Sequence, residues 1–106
     1  MTPTFQVRYT DAARDDLLRL FDFLLERAPC AEDLDAAQRT LDAVRNAIEN
    51  QLSHSPFVYR KAASSPFVRE LVIAFGSSGY VALYEIEGKA TVNILALRHQ
   101  REDDYH

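Results

Sequence analysis

Tryptophan is absent from this chain of 106 residues, and cysteine, glycine and proline number only one, three and four. The single thiol, Cys30, excludes an internal disulfide and any multi-cysteine zinc site. So little glycine and proline leaves no room for collagen-like or low-complexity structure. No apolar run approaches the roughly 20 residues that span a bilayer. The opening Met1-Thr-Pro-Thr-Phe-Gln has neither the basic nor the apolar stretch of a secretion signal, so a cytoplasmic protein is expected. A basic excess is missing too: the net charge is −4 and the pI about 5.3. Residues 1–53 hold six basic and ten acidic side chains, whereas residues 54–106 are balanced. Nucleic-acid binding draws most of its affinity from Lys and Arg on phosphates, so any such contact must be local, and a protein partner is electrostatically easier.

What is present is ordinary globular composition, 47% apolar and 26% charged, in a length that suits one domain over residues 1–106. Phe5, Val7 and Tyr9 alternate with polar residues over Thr4–Tyr9, a half-buried strand that Pro3 suits to a sheet edge. Thr10 stands at a helix N-cap position with Asp11 in the first turn. The period then changes to 3.6: Ala13, Leu17, Leu20, Phe21, Leu24 and Ala28 form one stripe, widened by Leu18 and Leu25. Asp15, Asp16, Arg19, Asp22, Glu26 and Arg27 fall opposite, towards solvent, and Phe23 lies outside the stripe. Pro29 and Cys30 interrupt the pattern. Leu34, Ala37, Leu41, Val44, Ile48 and Leu52 then form a second helical seam, ended by His54-Ser55-Pro56. The two helices make an αα-hairpin.

Residues 57–66 have no steady period and read as a connection. Three strands follow, Phe67–Phe75, Tyr80–Ile86 and Ala90–Leu97, linked by Gly76-Ser77-Ser78-Gly79 and by Glu87-Gly88-Lys89-Ala90, the latter as a two-residue type II′ turn. The expected fold is α+β: an N-terminal edge strand, the αα-hairpin, then a three-stranded antiparallel meander with the helices on one face. Tight turns put Leu71, Ile73, Phe75, Tyr80, Ala82, Tyr84, Ile86, Leu95 and Leu97 on the core face. Val72, Ala74, Val81, Leu83, Val92, Ile94 and Ala96 then lie opposite. One helical hairpin covers one face, so the Val72–Leu83–Ile94 stripe is left for a partner.

Catalytic templates are missing. There is no G-x-S-x-G elbow, no glycine-rich phosphate loop and no metal-ligand spacing beyond a weak grouping of His99, Asp103, Asp104 and His106. No catalytic residue, metal or cofactor is assigned. His54 at a helix C-terminus is a favourable dipole partner. One cluster stands out: Arg98, His99, Arg101 and Tyr105 follow the last strand, and Arg69 lies early in the first long one, ends that antiparallel pairing is expected to bring together. Such groups bind phosphate or serve in acid–base ribonuclease chemistry; a solvated tail neutralised by Glu102, Asp103 and Asp104 is the plainer alternative.

The order of elements, with V-R-Y-T-D-A-A-R-D-D-L at Val7–Leu17, L-S-H-S-P at Leu52–Pro56, V-R-E-L at Val68–Leu71, G-Y-V-A-L-Y at Gly79–Tyr84 and I-L-A-L-R-H-Q-R-E-D-D-Y at Ile94–Tyr105, resembles the ParE branch of the RelE/ParE superfamily. These are toxins of bacterial type II toxin–antitoxin systems, some of which stabilise plasmids. The resemblance implies a toxin that inhibits DNA gyrase, with any nucleic-acid contact made through gyrase-held DNA, and is neutralised by a ParD-like antitoxin. RelE-like members are ribosome-dependent messenger-RNA endoribonucleases that generally carry arginine directly after the G-Y of the middle strand. Here that residue is Val81; His99 stands where a second basic group would be, and Tyr105 where their catalytic tyrosine lies. Val81 and the acidic balance favour gyrase; an RNA-cleaving enzyme and a degenerate toxin that only binds antitoxin are the alternatives. Target-facing candidates are Arg69, Arg98, His99, Arg101 and Tyr105, and antitoxin-facing candidates are Val72, Val81, Leu83 and Ile94.

Overall fold

The computed structural model describes residues 4–26, 31–75 and 78–102. Strand β1 (Gln6–Tyr9) leads into helix α1 (Asp11–Glu26) and helix α2 (Ala31–His54), followed by β2 (Arg60–Lys61), β3 (Val68–Phe75), β4 (Ser78–Glu87) and β5 (Thr91–His99). The five strands form one mixed sheet in the order β1-β5-β4-β3-β2. β1 is an edge strand, as its composition suggests, and runs parallel to β5. β2 is an addition: two residues of the expected connection pair with β3 through Arg60↔Glu70 and Lys61↔Arg69. Two-residue strands carry no periodicity, which is why pattern alone misses one.

Thr10 caps α1 and fastens it to the sheet. Its hydroxyl oxygen accepts the Ala13 N–H at 3.2 Å and donates to the Ile94 carbonyl at 2.8 Å. The helical seams bury Ala13, Leu20, Val44, Ile48 and Leu52 against Leu71, Ile73, Tyr80, Ala82, Tyr84, Ile86 and Leu97 in one core cluster. Both helices therefore pack on a single sheet face. The ends of their stripes stay exposed at Leu18 and Leu34, and so does Phe23. Cys30, Pro29, Ala28 and Arg27 lie outside the described residues.

The register corrects the expected faces. β3 and β4 close on Phe75↔Ser78, which moves their pairing by two residues and keeps Leu71, Ile73, Tyr80, Ala82 and Tyr84 on their expected face. The β4–β5 turn is one residue longer than a two-residue hairpin: Glu87 pairs with Thr91, and Gly88 supplies the positive φ of 63°. A one-residue slip exchanges faces. Val92 and Ile94, expected on the open face, thus pair with Ile86 and Tyr84 and belong to the core, both fully buried. A bulge at Leu95 then moves the pairing by one residue more, so Ala96 opposes Leu83 and Leu97 returns to the core face opposite Ala82. Leu95, expected in the core, is the extra residue of that bulge and is half-buried.

Tyr84 is fully buried, and its hydroxyl donates to the Pro56 carbonyl at 2.6 Å, tying the end of the helical hairpin to the sheet. Burial pushes its pKa from 10.0 to about 12, although the nearby Arg69 cation opposes the shift. A phenol whose folded pKa is raised contributes its full stability below pH 10 and loses it as pH rises towards 12. Two pKa units correspond to about 2 to 3 kcal/mol. By pH 11 half of this is lost, so chemical denaturation at pH 8 and pH 11 is expected to show a drop of about 1.4 kcal/mol from Tyr84, a share that Tyr84→Phe removes while that of the similarly shifted Tyr9 stays.

Candidate functional site

The C-terminal end of β5 has an open edge. β1 pairs only with Thr91–Ile94, so the backbone groups of β5 beyond Ile94 need other partners. Side chains from α1 and its N-cap supply them. The Thr10 hydroxyl reaches the Leu95 carbonyl at 3.3 Å; the Asp16 carboxylate accepts the Leu97 N–H at 2.8 Å; an Arg19 guanidinium N–H donates to the Leu97 carbonyl at 3.1 Å. Asp16 is buried, and Arg19 is half-buried with its Nε 3.7 Å from the Asp16 carboxylate. Both were expected on the solvent side of the helix. A single-helix projection cannot show that a strand's unpaired backbone waits opposite them.

Past β5 the chain turns back on itself. The Gln100 N–H donates to the Gly79 carbonyl at 2.8 Å, and the Glu102 N–H to the His99 carbonyl at 3.0 Å. The Glu102 carboxylate accepts Arg19 Nη1–H at 2.6 Å and the His99 N–H at 3.2 Å. Arg98 extends along the opposite face and donates to the Glu102 carbonyl at 2.7 Å. Two cations expected to act alike therefore differ: Arg98 holds the tail backbone, while Arg101 is exposed. His99 stacks edge-on against Tyr80 at 5.3 Å, and its Nδ1 accepts the Arg101 N–H at 3.1 Å. Tyr105 lies outside the described residues, as do Asp103, Asp104 and His106 of the weak metal grouping.

Arg69 does not join this cluster. It opposes Tyr84 in the register, three residues along β4 from Val81, the partner of Arg98. That is about 10 Å of strand, and the alternation places the two arginines on opposite faces. Arg69 instead pins the loop before β3. It donates to the carbonyls of Pro66 (2.9 Å) and Tyr59 (2.7 Å), with its guanidinium 5.7 Å from the centre of the Phe57 ring.

The sheet face away from the helices carries two cross-strand rows, Val72–Val81–Arg98 and Glu70–Leu83–Ala96. Val72 is 41% exposed and Leu83 half-buried, whereas Val81 is only 1% exposed. Ile94 is absent from this surface, being in the core. Gly79, which opens the G-Y-V segment, is the one residue that fits there: a Cβ would sit 2.7 Å from the Ile73 carbonyl oxygen.

Sequence reasoning missed a further feature, a groove of about 470 Å³ between α1 and α2. Leu17, Leu18, Phe21 and Leu41 line it, with Arg14 and Arg45 as its cations. The Tyr9 hydroxyl is buried beside Arg45, and burial, with a smaller effect from Glu49, pushes its pKa to about 12 against the opposing Arg45 cation. Arginines spaced on separate helices leave no linear signal.

An αα-hairpin on one face of a small mixed sheet, with a tail locked by side chains, defines a small α+β domain. Residues 7–104 match the family model described as ParE toxin of type II toxin-antitoxin system, parDE, and the chain belongs to that family. The chain is similar to Toxin RelE3 of Caulobacter vibrioides, 38% identical over 90 residues that cover 85% of this chain and 88% of the relative. A solved structure described as a chromosomal ParDE TA system from P. aeruginosa shares the fold with a TM-score of 0.68, covering 90% of this chain and 95% of that one at 16% identity. The chain is thus a type II toxin of the ParE/RelE kind, and its family implies an antitoxin partner. Among the described residues no helix is long and apolar enough to cross a membrane.

Proposed function

We propose that this toxin inhibits DNA gyrase in the cytoplasm and is neutralised by a ParD-like antitoxin. The observation that carries this reading is Val81. The position after Gly79-Tyr80, where RelE-like nucleases generally present arginine, holds an aliphatic side chain buried between Val72 and Arg98. It brings no cation to a scissile phosphate, where one electrostatic group typically contributes 10²–10³ in rate. Arg98 supports the same reading, since its guanidinium is engaged by tail carbonyls. The acidic balance of the chain also disfavours a ribosomal RNA site. Arg101, His99 and Tyr105 are the target-facing residues in this reading.

Val72 and Leu83, with Val81 beneath them, are the antitoxin-facing surface of the sheet. The groove between α1 and α2 adds Arg14 and Arg45 beside an aliphatic floor, which suits acidic residues interleaved with aliphatic ones. The name of the Caulobacter relative, Toxin RelE3, makes ribosome-dependent messenger-RNA cleavage the second reading. Two assays on the purified toxin separate them. Inhibition of gyrase supercoiling without codon-positioned messenger-RNA cuts on ribosomes is the expected result. Cuts abolished by Tyr105→Phe or His99→Ala would overturn it.

A further inference from the structure

We infer that Arg19 and Glu102 form a latch by which α1 positions the target-facing C-terminal segment; this rests on the reading that the segment meets gyrase. Arg19 is 83 residues from Glu102, yet its Nη1 lies 2.6 Å from the carboxylate and its Nη2 reaches both the other carboxylate oxygen (3.4 Å) and the Leu97 carbonyl (3.1 Å). One planar guanidinium therefore bridges a helix, a strand edge and the tail, a geometry that an ammonium cannot reproduce.

The tail is held from both sides. Glu102 receives the His99 N–H through its carboxylate and Arg98 through its carbonyl. Arg98 projects from the face opposite the helices, so residue 102 is clamped across the end of the sheet. Residues 99–102 are consequently held in one backbone arrangement. A preorganised segment loses less conformational freedom on docking than a loose one. The charge arrangement sets the hierarchy. Arg19 is shared by Asp16, which is buried, and Glu102, which is half-buried. Without Arg19 the Asp16 carboxylate still holds the Leu97 N–H, whereas Glu102 loses its described contact with α1. Arg19 and Glu102 are positioning residues.

The test uses the full chain with Glu102→Ala, Arg19→Ala, the double variant and Glu102→Gln. Hydrogen exchange at the amides of His99, Gln100 and Glu102 is expected to rise at least tenfold in Glu102→Ala, with Ala82 in β4 unchanged and the melting temperature kept. The concentration needed to inhibit gyrase supercoiling should rise at least tenfold in the same variant. Glu102→Gln, which keeps an acceptor oxygen for Arg19, should recover most of it. The double variant should fall short of the product of the two single effects, because both substitutions break the shared Arg19–Glu102 contact while each also loses a bond of its own. Unaltered exchange at residues 99–102 overturns the latch, and so does a freed tail with undiminished inhibition. If wild-type toxin does not inhibit gyrase, the target assignment fails alone; growth arrest on expression replaces supercoiling as the readout, and the exchange results stand on their own.

Discussion

Ile94→Asp is expected to yield a chain that does not fold, whereas Leu83→Asp folds and loses its antitoxin. The two positions lie one residue apart in the cross-strand register but point to opposite faces of the sheet. Ile94 is fully buried in the helix-covered core, and the Thr10 hydroxyl is bonded to its carbonyl. Removing a buried isoleucine side chain costs about 2–5 kcal/mol, and leaving an unpaired carboxylate there adds several more. Together they approach the roughly 5–15 kcal/mol that holds a domain of this size. Leu83 is half-buried on the open face, where a carboxylate keeps access to water. There the substitution acts on the complex and should weaken antitoxin binding at least tenfold, about 1.4 kcal/mol. Circular dichroism of both purified variants and calorimetric titration with the antitoxin measure the contrast. A folded Ile94→Asp would mean that the turn at Gly88 is one residue shorter than described and the two faces of β5 exchange.

Ending the chain after Glu102 should abolish gyrase inhibition while preserving the fold. Every hydrogen bond described above for Arg98, His99 and Glu102 survives this truncation, whereas one made at residue 97 would remove them all and expose the end of β5. Tyr105 lies in the deleted portion, and tyrosine is enriched among residues that dominate binding energy at interfaces. Arg101→Ala is the milder companion, because its side chain is exposed; Arg98→Ala is unsuitable, since that residue secures the Glu102 carbonyl. We expect a loss of at least tenfold in supercoiling inhibition for the truncated chain and a smaller loss for Arg101→Ala, with melting temperatures close to wild type. Full inhibition by the truncated toxin would move the target surface to the Phe57–Lys61 loop or to the exposed side of α1 around Phe23.

Local pattern determined most of the architecture. The seam from Leu34 to Leu52 could bury its side chains only as a helix, Thr10 could cap only what followed it, and the alternation through Leu71, Ile73, Tyr80, Ala82 and Tyr84 named one sheet face whichever even shift the turns imposed. The assignment to the toxin family was equally legible, because it rests on the order of short motifs along the chain. Tertiary structure decided whatever depended on a single residue of turn length or on groups distant in sequence. One extra residue between Glu87 and Thr91 sent Val92 and Ile94 into the core, and the bulge at Leu95 returned Leu97 to it; neither change has a signature in hydrophobic alternation, which reads the same for either face. Asp16 and Arg19 looked like solvent-facing charges because their partners, the unpaired edge of β5 and Glu102, are about 80 residues away. Arg69 and Arg98 looked like members of one cluster until the register placed them on opposite faces. Hydrophobic periodicity is a property of neighbours along the chain, whereas the satisfaction of buried backbone groups and charges is a property of neighbours in space.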